Sequence, residues 1–353
     1  MNKSSLKPTA ADVAKLARVG AITVSRVVNG IGYVSNEKKK RIQDAIRTLG
    51  YVPNQAARVL KGNRARIIGL IIPDLADPFF SKCAAAVETY AASQGYMTLI
   101  LTAGRNPEME EHEVSMIIHH NVAGMIVVPS FGEKSFEALT RTNIPLVALD
   151  RPLGPSMSDE VVVENLGGAQ VAVNHLIEHG HKKIACVGYD ENTYAISHRV
   201  LGYTQAMKAA KLRSETYLEI KTLDDALKLV RRWKKSKFAP TAVFALNNVA
   251  TKNLLLAFRE EEVSVPDQIA IIGFDEPEMA ELLSAPLTVV RQPAAELGIQ
   301  AARILFERIG SASLPRDSFG VKLVLPVEFV IRESCGSHSQ KKQPAVSNAK
   351  ARK

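Results

Sequence analysis

Along the first fifty residues apolar side chains recur at helical spacing, whereas from Ile67 onward they come in short unbroken runs. Thr9 and Asp12 form a capping-box pair, which opens a helix with Val13, Ala14, Leu16 and Ala17 on its apolar face. Arg18-Val19-Gly20 interrupts the pattern, and a second helix is predicted from Ala21 to Val28, stopped by Asn29-Gly30. Two short helices joined by a tight Gly-containing turn make a helix-turn-helix. On the second, Val24, Val27 and Val28 fall on one side, and Ala21, Ile22, Ser25, Arg26 and Asn29 share the other. A third helix is predicted from a Ser35 cap to Leu49, with Ile42, Ala45, Ile46 and Leu49 as its stripe and Gly50 as its stop. A plain three-helix bundle with a solvated face satisfies the same spacing. Beyond Tyr51, Pro53 can start and Gly62 can stop a helix of only about two turns, marginal by itself in water and thus expected to order on docking.

The apolar runs that follow read as buried strands: Ile67–Ile72, Met97–Leu101, Gly124–Val128, Pro145–Leu149, Lys183–Gly188, Ala242–Leu246, Ile269–Phe274 and Leu287–Val290. Helical patterns lie between most of them, among them Phe79–Gln94, Leu166–His179, Val249–Glu260 and Pro293–Ile309. Continuous apolar strands alternating with helices indicate doubly wound parallel sheets. Ligands of such sheets sit beyond the carboxyl ends of the strands. The polar residues at those ends are Asp74, Asp77, Asp150, Asp190, Asn247, Asn248 and Asp275. An aspartate at a strand end also commonly caps the next helix, so position alone leaves both roles open.

Charge sharpens this picture. Residues 1–66 carry a net +11 and residues 334–353 a net +5, which leaves −7 for 67–333 in a chain of +9. A basic head on an acidic body is the footprint of a nucleic-acid-binding domain joined to something else; a solubilising charge run is the plainer alternative. No stretch of about 18 apolar residues is present, so no membrane span is expected. The first residues lack the apolar core of a secretory signal, and Cys83, Cys186 and Cys335 form no CxxC. Both features point to the cytoplasm, with the basic head on the nucleoid. The histidines show no zinc spacing, Asn165-Leu166-Gly167-Gly168 is not a dinucleotide fingerprint, and no nucleophile–base pair emerges. No catalytic residue, metal ion or cofactor is expected.

The run from Thr9 to Gly30, TAADVAKLARVGAITVSRVVNG, followed by YVPNQAARVLKG, resembles the signature of the LacI/GalR family of bacterial transcription regulators, and the similarity continues to about Glu333. The chain departs from that signature at Arg18, where Gly is usual, and at Gly20, where a capping Ser is usual. The resemblance implies that Thr23 and Asn29 touch phosphates, that Ser25 and Arg26 reach bases, and that Ala21 and Ile22 set operator preference. Being apolar, these last two can read only shape or a thymine methyl. Thr9, Tyr51, Asn54 and Ala57 complete the implied DNA contacts, with Leu60 wedged into the minor groove and Lys61 beside it.

For the body the resemblance implies an α/β fold of two lobes, like periplasmic sugar-binding proteins, joined by three crossings near Val162, Arg291 and Phe319. The implied division is a head at 1–52, a hinge at 53–64, a body at 65–333 and a basic disordered tail at 334–353. Within the body, lobe one takes 65–161 and 291–319, and lobe two takes 162–290 and 320–333. Implied effector-binding residues are Asp77, Phe79 and Phe80, with Asp77 replacing the usual Asn; Asp150; Arg199, in an R-x-x-G-Y motif; Asn247 or Asn248, where the usual Asp is absent; and Asp275. Arginine flanked by carboxylates and amides suits a sugar, a sugar acid or a nucleoside-like ligand. The expected protein is a homodimeric repressor of a pseudo-palindromic double-stranded operator that responds to such an effector. The competing readings are a solute receptor without regulatory role, which the basic head disfavours, and a sugar enzyme, which no catalytic set supports.

Overall fold

A computed structural model of the chain describes residues 8–29, 32–51, 65–104, 106–130, 133–154, 157–310 and 320–336. The hinge with Asn54, Ala57, Leu60 and Lys61, Phe319, and the tail beyond Gly336 lie outside the described residues. The chain divides into two units, residues 1–65 and 66–353.

The first unit is helical, with α1 at Ala10–Ala17, α2 at Ala21–Asn29 and α3 at Asn36–Leu49. The Thr9–Asp12 capping box is formed in both directions, so two of the amide groups that a helix start leaves orphaned are satisfied. Ser35 occupies the cap position of α3 but makes no side-chain capping bond. Val13, Ala14, Ala17, Val24, Ile42 and Ala45 form the core, with Val27, Val28 and Tyr51 packed around it. Arg18 ends α1 in the left-handed region at φ 53°. That conformation explains why glycine is usual there: a residue with a Cβ pays roughly 1–2 kcal/mol for it.

The second unit contains two six-stranded sheets. The first is built from β1 (Ile67–Ile72), β2 (Met97–Thr102), β3 (Gly124–Val127), β4 (Leu146–Leu149), β5 (Asp159–Val163) and β11 (Lys322–Leu325), in the order β11-β5-β4-β3-β1-β2. Every pairing in it is parallel. The second runs β12 (Glu328–Val330), β10 (Thr288–Arg291), β9 (Ala270–Phe274), β8 (Ala242–Ala245), β6 (Ile184–Val187), β7 (Glu215–Tyr217), and only the β12–β10 pair is antiparallel. Helices cover both faces of each sheet, which is why the central strands are apolar without alternation. On the first sheet, α4 (Pro78–Ser93) and α11 (Ala294–Gly310) bury one face, and α5 (Pro107–His119) with the short α6 (Glu137–Thr140) bury the other. On the second, α7 (Asn165–Glu178) and α8 (Tyr194–Ala209) oppose α9 (Leu223–Lys234) and α10 (Asn248–Glu260).

The chain passes between the lobes at Glu164, at Gln292–Pro293 and at Pro326–Val327. The third crossing therefore falls after β11 and not near Phe319. Residues 322–325 pair with Glu160–Val163 in the first sheet, so they belong to lobe one and not to lobe two, and β5 likewise carries lobe one past residue 161 to Val163. The tail also starts later than residue 334. Ser334 and Cys335 are fully buried: the Ser334 hydroxyl donates to Ile271 O at 2.7 Å, and Cys335 Sγ lies 3.2 Å from His175 Nε2. Among the described residues no helix is long and apolar enough to cross a membrane.

Candidate functional site

In the first unit, the pattern that folds α2 also separates its two faces. Val24 is buried, whereas Ala21, Ile22, Ser25 and Arg26 are exposed and Thr23 is half-buried. Ile22 is 73% exposed; a β-branched apolar side chain left this open beside a guanidinium and a hydroxyl forms a surface that can meet both a thymine methyl and polar base edges. Asn29 is the last residue of α2. Thr9 is occupied with its cap, its hydroxyl donating to Asp12 at 2.7 Å, and Tyr51 packs against the core of the head.

The second unit has a cleft between its lobes, at the carboxyl ends of the strands. Asp77, Phe79, Phe80, Asp150, Arg199, Asn247 and Asp275 line one cavity of about 50 Å³, together with Arg151, Asp190 and Gln292. Asn248 lies instead in the wall of a wider adjoining cavity of about 390 Å³ and donates from Nδ2 to Asp77 Oδ1 at 3.3 Å, a bond across the cleft. Three of the aspartates, Asp150, Asp190 and Asp275, directly follow strands or strand-end residues and hold φ values of 66°, 65° and 78°. Aspartate visits this left-handed region more readily than most residues. Here it turns the chain out of the strand while leaving the carboxylate at the cleft. Asp77 and Asn247 also cap α4 and α10, accepting from Phe79 N and Ala250 N at 2.9 Å each. For these two, capping and cleft lining coincide.

Arg199 is the central cation, 3% exposed. Its Nε donates to Asn165 Oδ1 at 2.8 Å and its Nη1 to Leu246 O at 2.7 Å, and the guanidinium stacks 3.6 Å above the Phe274 ring. Asp275 Oδ2 is 3.8 Å from Nη1, and the Gln292 amide donates to Asp275 Oδ1. Burial pushes Asp275 up to about 6, against the pull of Arg199 and of the Gln292 bond. Burial also raises Asp150, with Arg151 and Arg199 opposing it, and lowers Arg199, with Asp275 and Asp150 opposing. These shifts have one physical origin, charges held out of water.

Sequence reasoning did not pick out Asn165, Arg151 or Gln292. Arg151 follows a strand-end aspartate and Gln292 sits in a crossing segment; those were the available signals. Asn165 is placed by the start of α7, and nothing local marks it. The R-x-x-G-Y motif divides its labour: Arg199 faces the cleft, Gly202 admits a neighbouring helix, and Tyr203 is buried with its hydroxyl donating to Ile184 O at 2.8 Å. Gly202 has that role because a Cβ there would come within 2.4 Å of Leu166 O.

Two family models match the chain: bacterial regulatory proteins of the lacI family over residues 9–54, and the periplasmic binding protein-like domain over residues 173–335. The HTH-type transcriptional regulator DegA of Bacillus subtilis (strain 168) is 33% identical over 342 residues, covering 93% of this chain and 98% of the relative. A solved complex of the transcriptional regulator CelR with cellobiose is 29% identical with a TM-score of 0.67, covering 93% of this chain and 99% of that one. The lac repressor dimer bound to operator and the anti-inducer ONPF is 23% identical with a TM-score of 0.81, covering 94% and 99%, a likeness of fold. With its helix-turn-helix head and two-sheet body, the chain belongs to the lacI family of bacterial regulatory proteins, which are DNA-binding transcriptional regulators and not enzymes.

Proposed function

We propose that this protein is a repressor that binds a pseudo-palindromic operator as a homodimer, in the cytoplasm on the nucleoid, and is controlled by a small ligand in the cleft. The observation that carries the reading is the open face of α2, where Ile22, Ser25 and Arg26 stand clear of the core. In this reading Ser25 and Arg26 meet base edges, Thr23 and Asn29 hold phosphates, and Ala21 and Ile22 meet thymine methyls. The hinge residues Asn54, Ala57, Leu60 and Lys61 enter the minor groove, with Thr9 and Tyr51 near the backbone. Two-fold symmetry of a dimer requires a matching symmetry in the site.

The ligand is sugar-like. The cellobiose complex of a relative supports this, and so does the chemistry of Asp77, Asp150, Asp275 and Asn247, whose acceptors suit vicinal hydroxyls, with Phe79 and Phe80 beside them. The cavity of about 50 Å³ is well below the 300 Å³ or more of most ligand pockets, so entry requires the lobes to part.

Arg26→Ala, titrated by fluorescence anisotropy against the palindromic sequence upstream of the gene and against a scrambled duplex, tests the DNA half of the reading. The variant is expected to lose about 1–3 kcal/mol of discrimination between the two, the worth of a bidentate base contact. An equal loss on both duplexes makes Arg26 a phosphate anchor. A wild-type protein that does not distinguish the duplexes sinks the proposal.

A further inference from the structure

The cleft holds more negative than positive charge. Four carboxylates, of Asp77, Asp150, Asp190 and Asp275, line the cavity, against the two guanidiniums of Arg151 and Arg199. Both guanidiniums are already committed to the protein. Arg199 spends Nε on Asn165 and Nη1 on Leu246 O, and it faces Asp275. Arg151 donates from Nη1 to Pro129 O at 3.1 Å, and its Nε lies 3.4 Å from Asp150 Oδ2. An anionic ligand would find its natural forks engaged and four carboxylates around it.

The buried atoms without hydrogen-bond partners agree. Among the residues of the cavity wall they include Asp150 Oδ1 and Gln292 Oε1, both acceptors, in side chains only 3% and 8% exposed. Asn248 Oδ1, beside the cleft, is a third. Arg151 Nε is the orphaned donor of the wall, and it already has the Asp150 carboxylate as its ion-pair partner. A buried acceptor left unmade costs about 1–3 kcal/mol, so the missing partners are donors. Neutral hydroxyls would supply donors but leave the surplus charge buried, which is expensive unless it is paired. A protonated amine supplies both.

We infer that the effector is a cation, a sugar or polyol bearing a protonated amine, seated against the carboxylates of Asp77, Asp150 and Asp190. The inference rests on the proposed role of the cleft as the effector site and narrows its ligand, setting aside the sugar acids and phosphorylated sugars. The edge-to-face pair of Phe79 and Phe80, with ring centroids 5.1 Å apart, suits the same ligand, since aromatic faces attract both the C–H face of a sugar and a nearby cation. The raised titration of Asp150 and Asp275 is in keeping, because Asp77 adds to it by like charge in both cases and an ammonium group would relieve it.

The test uses the full chain at pH 7 and matched ligand sets: glucose, glucosamine and gluconate; galactose, galactosamine and galacturonate; glucose 6-phosphate beside the first set. Affinity is read by calorimetry and thermal shift. In at least one set the amino member is expected to bind tenfold or more tightly than its neutral counterpart, and the acids and the phosphate more weakly than either. Asp150→Asn keeps the shape and the left-handed backbone but removes one charge. It is expected to shrink the amine-to-neutral ratio several-fold, a ratio that a purely structural role would leave alone. An acid or phosphate that binds best, a neutral sugar that equals its amine, or a flat response in every set overturns the inference. A neutral or acidic ligand that binds and shifts operator affinity overturns the charge assignment alone. An amine that binds without affecting the operator instead overturns the regulatory reading of the cleft.

Discussion

Gly202→Ala is expected to destabilise the second lobe by about 3 kcal/mol or more, the upper range for inserting a methyl group into a packed core. The added Cβ would sit 2.4 Å from Leu166 O and 2.8 Å from Ala169 Cβ. The first obstacle is backbone inside α7, so it cannot rotate away as a side chain could; relief requires α7 and α8 to separate. Lobe one repeats the device. A Cβ on Gly298 of α11 would lie 2.5 Å from Cys83 O of α4, and Gly298→Ala is expected to cost a similar amount. Gly310, at the end of α11, has nothing within 4 Å of such a Cβ. Gly310→Ala should therefore stay within about 0.5 kcal/mol of the wild type. Urea melts followed by circular dichroism compare the three. Equal midpoints would show that close helix approach does not hold the lobes together.

Arg199→Ala is expected to lower stability by about 3–5 kcal/mol even without ligand, because breaking one side of a buried pair strands the other. Asp275 would lose its counter-charge, and Asn165 Oδ1 and Leu246 O would lose their donor. The same change should abolish any response to effector. Arg199→Lys keeps a charge but not the planar fork that serves two acceptors at once, and it should fall between. Denaturant midpoints measured without ligand decide the matter: if Arg199→Ala melts with the wild type, the arginine is a ligand anchor only and its internal bonds contribute nothing net.

The head was legible in detail because its signals are local. The Thr9–Asp12 box, the α2 faces and the stop at Gly50 all lie within a few residues of the structure they specify. The central strands were legible as apolar runs, and β1 at Ile67–Ile72 matches its expected bounds. Elements whose stability comes from distant partners were not. Strand β5 opens with two acids, Asp159 and Glu160, both buried; Asp159 is there because Arg308 pairs with it at 2.7 Å. Strand β7 has three residues and no pattern to read. The third crossing was set early because β11 is recognised by its pairing with β5, some 160 positions back. Cys335 looked like the start of a tail because its contacts, Thr288 and His175, lie far along the chain.

The candidate cleft was legible to the extent that strand ends are. Asp77, Asp150, Asn247 and Asp275 come together as the strand-end rule requires. What the pattern did not convey is how much of the cleft is bonded to itself. The Asp77–Asn248 bond, the Gln292–Asp275 bond and the Asn165 support for Arg199 depend on side-chain directions that only the folded lobes define.

The measurement that bears most directly on regulation through the cleft is operator affinity as a function of ligand. A labelled palindromic operator is titrated with the full chain, with and without a saturating concentration of the sugar that gives the largest thermal shift. Linkage requires a ligand that distinguishes two states of the protein to change operator affinity, typically 5–150-fold, and requires operator to change ligand affinity by the same factor. The expected result is a shift of at least about fivefold that saturates with cleft occupancy and matches in both directions. Operator affinity that stays the same at saturating ligand would contradict it.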